Sequence, residues 1–106
     1  MEWVKIFPSA NVAREKLLEN RPQLLIVHGK RLCLVLRQNE FYVIEDTCSH
    51  SGESLSKGSI NYLGEVVCPW HGYRFSLNSG RESGERSRDL ITFSIKSDET
   101  GFYIGL

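Results

Sequence analysis

Cys48-Ser49-His50-Ser51-Gly52 and Cys68-Pro69-Trp70-His71-Gly72 are the stretches on which the reading of this chain turns. Each sets a thiol and an imidazole close together, and residues 51 to 67 separate the two pairs. Two such pairs make a four-ligand site in which each segment supplies one sulfur and one nitrogen. Cys-x-His is too short a spacing for two ligands on one helix face, where neighbours lie three or four residues apart, but a loop can hold them at different depths of one site.

Outward from these loops the chain reads as strands. Toward the N-terminus, Gln23 to Val27, Leu32 to Arg37 and Glu40 to Glu45 are short apolar segments divided by His28-Gly29-Lys30 and Gln38-Asn39, a meander of antiparallel strands. Trp3 to Phe7 alternates with a period of two and ends at Pro8. From Ser9, a capping residue, to about Glu19 the composition favours helix, with Ala10, Ala13 and Leu17 on one face and Pro22 as its stop. Beyond Asp46 a Ser- and Gly-rich stretch runs to Ser59. A hairpin of Ile60 to Leu63 with Glu65 to Cys68 follows, turning at Gly64. Tyr73 to Leu77 and the turn Asn78-Ser79-Gly80 close this inserted subregion, about residues 46–80. Residues 83–89 read as a polar loop, and Leu90 to Lys96 with Gly101 to Leu106 as a terminal hairpin through Ser97 to Thr100. The expected class is all-β, a single domain over residues 1–106 with one short helix.

Bulk properties narrow the function. The 106 residues are 41% hydrophobic and 25% charged, ordinary for a globular domain. A domain this small buries a modest core, so a bound inorganic group would add usefully to its stability. Thirteen basic residues balance 13 acidic ones, with the signs interspersed, which argues against nucleic acid and against an anionic membrane surface as partners. No apolar run approaches a membrane span, and the N-terminus lacks the apolar core of a signal peptide, so a cytoplasmic location is expected. Three cysteines, Cys33, Cys48 and Cys68, suit a disulfide framework poorly and ligation well.

The two motifs resemble those of the Rieske iron-sulfur proteins, Cys-x-His followed at this distance by Cys-x-x-His. The likeness extends to the meander before the first loop and the aromatic, Gly-containing segment after the second. It implies a Rieske-type antiparallel β-sandwich with an inserted cluster-binding subdomain, and one 2Fe-2S cluster. It implies Cys48 and Cys68 as thiolate ligands of one iron, and His50 and His71 as neutral imidazole ligands of the other. Two neutral ligands in place of two anionic ones reduce the negative charge of the centre and raise its potential above that of an all-cysteine cluster.

Departures from the family refine this expectation. High-potential Rieske subunits of respiratory complexes carry an extra disulfide-forming cysteine in each loop; Glu53 and Trp70 stand there instead. Those subunits also have a serine and a tyrosine whose hydroxyls support the reduced cluster; Tyr73 and Phe75 occupy those positions. Phe75 has no donor, so a potential near the lower end of the Rieske range, about −150 mV, is expected. The resemblance therefore points to the ferredoxins that serve aromatic-ring dioxygenases. It implies a non-catalytic, monomeric one-electron carrier that meets a flavoprotein reductase and a terminal oxygenase transiently, with no membrane or nucleic-acid partner. Many family members carry a proline in the loop that covers the cluster, whereas residues 83–88 contain none.

Blander readings stand beside this one. A Rieske-like small subunit of a larger enzyme such as nitrite reductase would use the same motif, and a structural zinc module the same ligand types. A catalytic Cys/His pair would need an orienting third group and a substrate pocket. Cys33 reads as a small buried hydrophobe within its strand, and His28 as a solvated turn residue. Trp70 and Tyr73 read equally as partner-facing aromatics or as packing, and Arg86 and Arg88 as a solvated charged loop.

Overall fold

The computed structural model describes residues 1–106. In chain order its elements are β1 (Trp3–Phe7), α1 (Ala10–Lys16), β2 (Gln23–Val27), β3 (Lys30–Arg37), β4 (Glu40–Glu45), a 3₁₀ turn (Leu55–Lys57), β5 (Ser59–Ile60), β6 (Glu65–Val67), β7 (Arg74–Ser76), β8 (Ile95–Asp98) and β9 (Gly101–Gly105). They form three antiparallel three-stranded sheets, ordered β1-β9-β8, β2-β3-β4 and β5-β6-β7. The all-β architecture with one short helix agrees with the sequence reading. No helix is long and apolar enough to cross a membrane.

The central strand β3 explains the arrangement. Leu32 to Leu36 are all buried, and because successive side chains of a strand point to opposite faces, they feed two separate cores. Leu32, Leu34 and Leu36 pack with Val27, Val43, Ala13, Leu17, Phe102 and Ile104, joining β2–β4 to the helix and to β9. Cys33 and Val35 face the other way, toward Leu55, Val66, Phe75, Leu77 and the two loop cysteines Cys48 and Cys68. One strand thus carries the body on one face and the inserted subregion on the other. Burial pushes the Cys33 thiol up to about 12, with Asp46 adding to the effect, so it behaves as the small apolar side chain its position requires.

Several boundaries differ from the sequence reading, each for a local reason. Ser9 does cap the helix, accepting a hydrogen bond from the Val12 N–H at 3.1 Å, but the helix ends at Lys16 and not near Glu19. Leu17 is already extended, and Glu19 bridges Leu36 in parallel while the Asn20 N–H donates to the Leu36 carbonyl at 2.8 Å. Pairing to β3 outweighs helix propensity there. The first strand of the insertion hairpin is only Ser59–Ile60. The Asn61 side chain accepts from the N–H groups of Leu63 and Glu65 and folds residues 61–64 into a turn, which Arg37 holds through the Tyr62 carbonyl at 2.8 Å. The segment expected as one strand from Leu90 changes sheet. Residues 91–93 run beside β4, with Phe93 donating to the Val43 carbonyl and Thr92 bridging Ile44, before β8 joins β9.

Phe102 is fully buried and meets Phe7 and Phe41 edge to face, with ring centroids 5.7 and 4.7 Å apart. Replacing it leaves a cavity where helix, β1 and β4 converge. Phe102→Ala is expected to cost about 3–5 kcal/mol in urea unfolding, and a near-neutral result would show that this core collapses around the gap.

Candidate metal centre

The first candidate loop leaves β4 and is tied down at its root by a buried acid. Asp46 is fully buried. Its carboxylate accepts from the Ser54 hydroxyl and from the Ser56 N–H at 2.7 Å, and faces Arg31 at 3.5 Å. The Asp46 carbonyl accepts from the Leu55 N–H at 2.7 Å, and Thr47 bridges Ser54. Within that frame the Cys48 N–H donates to Glu53 and the Gly52 N–H to Cys48, both at 2.8 Å. The chain turns tightly and Cys48 stays inside while His50 lies exposed.

The second loop joins β6 to β7. The Cys68 N–H donates to the Tyr73 carbonyl at 2.8 Å, and the turn between them uses two consecutive left-handed residues, His71 and Gly72, each at φ 69°. Glycine takes this conformation freely, whereas for His71 it is uncommon and is imposed by the closed turn. As in the first loop, the cysteine is buried and the histidine exposed.

The four predicted residues meet as two pairs. The Cys48 and Cys68 thiols lie within hydrogen-bonding reach of each other, and the His50 and His71 rings stand 5.8 Å apart between centroids, steeply inclined. Burial opposes ionisation of Cys48, but hydrogen bonds from Ser51 and the His50 N–H hold its thiol below its ordinary value. Burial and the neighbouring Cys48 push Cys68 up. The Ser51 hydroxyl lies 3.5 Å from the Cys68 sulfur while accepting from the Glu53 N–H, so its one proton is free to point at either of the two cysteine sulfurs.

A third segment, residues 80–90, closes over the first two; it contains the polar loop expected at residues 83–89, the one that the family resemblance places over the cluster. It starts at Gly80, at φ 77°, where a Cβ would stand 2.2 Å from the Leu90 carbonyl oxygen, so only glycine fits. Glu82 is fully buried and accepts from the N–H groups of Gly84 and Arg86 at 2.6 and 2.7 Å and from the Arg86 guanidinium at 3.0 and 3.1 Å. Arg86 in turn lies over the Tyr73 ring, 3.7 Å from its centroid. Ser49 donates to the Arg88 carbonyl at 2.8 Å, and Arg88 forks onto Glu45. Neither arginine is merely solvated. The alternation of Glu82 with Gly84 and Arg86 was the available signal, an acid able to collect the N–H groups of the turn that follows it.

Comparison with known families agrees with this geometry: the profile of the Rieske [2Fe-2S] domain matches residues 2–93. The chain belongs to the Rieske [2Fe-2S] domain family. Among curated relatives, the Rieske domain resembles the ferredoxin subunit of the Escherichia coli K12 3-phenylpropionate/cinnamic acid dioxygenase, 43% identical over 68 residues, 63% of this chain and 64% of that protein. It also resembles human Apoptosis-inducing factor 3, 32% identical over 97 residues, 90% of this chain but 16% of that protein. The chain thus spans less than two thirds of the length of these relatives. In fold it matches the ferredoxin of carbazole 1,9a-dioxygenase from Nocardioides aromaticivorans IC177, with a TM-score of 0.83 at 20% identity over 99% of this chain and 98% of that one.

One Rieske 2Fe-2S cluster is the cofactor of such a domain, and the donor set fits it. Thiol pairs with thiol in the interior and imidazole with imidazole at the surface, the division that a centre with two cysteines on one iron and two histidines on the other requires.

Hydrogen bonds from the Arg86 side chain, against the opposing effect of burial, together with the Gly84 and Arg86 N–H groups, pull the Glu82 carboxyl down to about 2 from an ordinary 4.5. A depressed folded value means that ionised Glu82 stabilises the fold fully above about pH 4.5, and that this contribution is lost as the pH falls toward 2. Thermal melts of wild type and Glu82→Gln followed by circular dichroism should therefore differ most near neutrality and converge toward pH 2. A gap that stays constant with pH would remove Glu82 from the acid response.

Proposed function

We propose that Cys48 and Cys68 hold one iron of the cluster as thiolates and His50 and His71 the other as neutral imidazoles, and that the chain is a one-electron carrier. The observation that carries this reading is the division of the site by depth, with both thiols buried and both imidazoles exposed. When bound, the 2Fe-2S cluster supplies a one-electron couple. The residues do the rest. Cys48 and Cys68 neutralise and anchor the inner side among apolar neighbours, while His50 and His71 present the outer side where a partner can approach.

Electrons would come from a flavoprotein reductase and leave for a terminal oxygenase, in the cytosol. The likeness to a dioxygenase ferredoxin subunit supports the second partner. Docking through a small exposed tip suits a monomeric carrier that must release each partner after transfer. Trp70, 57% exposed and edge-on to His71 at 5.2 Å, is placed to take part in such contact.

Spectroscopy, voltammetry and turnover test this. Electron paramagnetic resonance of the dithionite-reduced protein should give a rhombic signal of low average g, the mark of mixed Cys/His ligation, and His50→Ala or His71→Ala should abolish it. Stoichiometric zinc and no signal would end the electron-carrier reading. Film voltammetry should place the couple near the lower end of the Rieske range, about −150 mV, and Ser51→Ala should lower it further because the hydroxyl beside Cys68 favours the reduced state. A potential well above zero would refute the low-potential assignment. Turnover with an added reductase supports the free carrier, and firm co-purification with a large enzyme would make it an accessory subunit instead.

A further inference from the structure

The His50 ring lies face to face with the Tyr73 ring, 3.7 Å between centroids and 10° between planes. The Arg86 guanidinium carbon sits at the same distance, 3.7 Å, over the same tyrosine ring. Two planar groups cannot share one face at that spacing, so they occupy opposite faces and Tyr73 is sandwiched between a candidate ligand and a cation. Behind Arg86 stands Glu82, buried, gripping the guanidinium through two nitrogens and the backbone N–H. The order outward from the metal centre is therefore imidazole, phenol ring, cation, carboxylate.

We infer that Tyr73 and Arg86 are positioning residues for the redox centre: the stack holds the His50 ring in orientation and turns the positive end of the Arg86–Glu82 pair toward it, favouring the reduced state. This rests on the assignment of His50 as a ligand. Three physical points support it. A planar guanidinium held by a carboxylate fork has little freedom to turn away. A cation over an aromatic face is attracted to it, which clamps the ring from behind. A positive charge near the centre stabilises an added electron, and Glu82, which offsets that charge, is the more distant partner in the stack. The depressed Glu82 carboxyl keeps the pair ionised across the physiological range. The same contacts supply the stiffness that a proline would give the covering loop, since they fix residues 82 to 86 onto the second ligand loop through Tyr73.

The test compares Arg86→Gln, Arg86→Lys, Tyr73→Phe and Tyr73→Leu, each as purified holoprotein, by redox titration and by electron paramagnetic resonance. Arg86→Gln is expected to make the protein harder to reduce, with a fall of about tenfold in the equilibrium constant, equivalent to 59 mV for one electron. Tyr73→Leu, which removes the platform, should lower the potential similarly and broaden the signal as the His50 ring loses its fixed orientation. Tyr73→Phe keeps the ring and Arg86→Lys keeps the charge. Both should stay closer to wild type than their partners do, and if Tyr73→Leu does not fold, Arg86→Gln on its own reads the effect on the potential. Arg86→Gln and Tyr73→Leu with intact low-g signals and wild-type potentials would overturn the inference while leaving the ligand assignment standing. A wild-type protein without that signal would overturn the ligand assignment itself.

Discussion

Burial of both faces of β3 is the constraint on which this molecule depends. A strand exposed on one side would ask for alternating polar residues; Leu32 to Leu36 has none, and the structure uses both faces. The leucines hold the helix and the sheet containing β9, while Cys33 and Val35 provide the floor on which the inserted hairpins rest. The metal centre is thereby attached to the stiffest part of the fold through packing, and the loops that bear the candidate ligands need only short turns to reach their positions. Arg31 on the same strand extends the link, since it faces Asp46 at the root of the first loop.

Much of this was legible in the sequence because it is local. The strands Trp3–Phe7, Gln23–Val27 and Glu40–Glu45 fall where apolar periodicity and turn residues place them, and Ser9 caps the helix as its type suggests. What was not legible depends on partners remote in the chain. The helix stops early because Glu19 and Asn20 pair with Leu36, and residues 91–93 leave the terminal hairpin because β4 offers them Val43 and Glu45. Neither partner can be found from a window of neighbouring residues.

The site divides in the same way. Cys48, His50, Cys68 and His71 declare themselves by type and spacing, and the fold brings them together as two pairs. The groups that hold the covering loop do not, because an acid and two arginines in a polar stretch look like any solvated surface. Their meaning emerges only when Glu82 is seen to be buried beneath Arg86, and Ser49 to reach the Arg88 carbonyl from the opposite loop. Ser51 is a similar case, a hydroxyl donor that arrives from the first loop to serve the sulfur of the second.

A covering loop secured by charges answers to the medium in a way that a prolyl ring does not. The Arg88–Glu45 fork is partly open to solvent, with the arginine side chain 57% exposed, and the screening length shrinks from about 8 Å at physiological ionic strength to about 3 Å in molar electrolyte. The Arg86 side chain is nearly as exposed, at 53%, but its partner Glu82 has no exposed surface and is also held by the Gly84 and Arg86 backbone N–H groups, contacts that added salt does not screen. In concentrated salt the flap thus loosens at its outer anchor first and keeps its grip at the inner one, like a hinged cover whose catch is weaker than its pin.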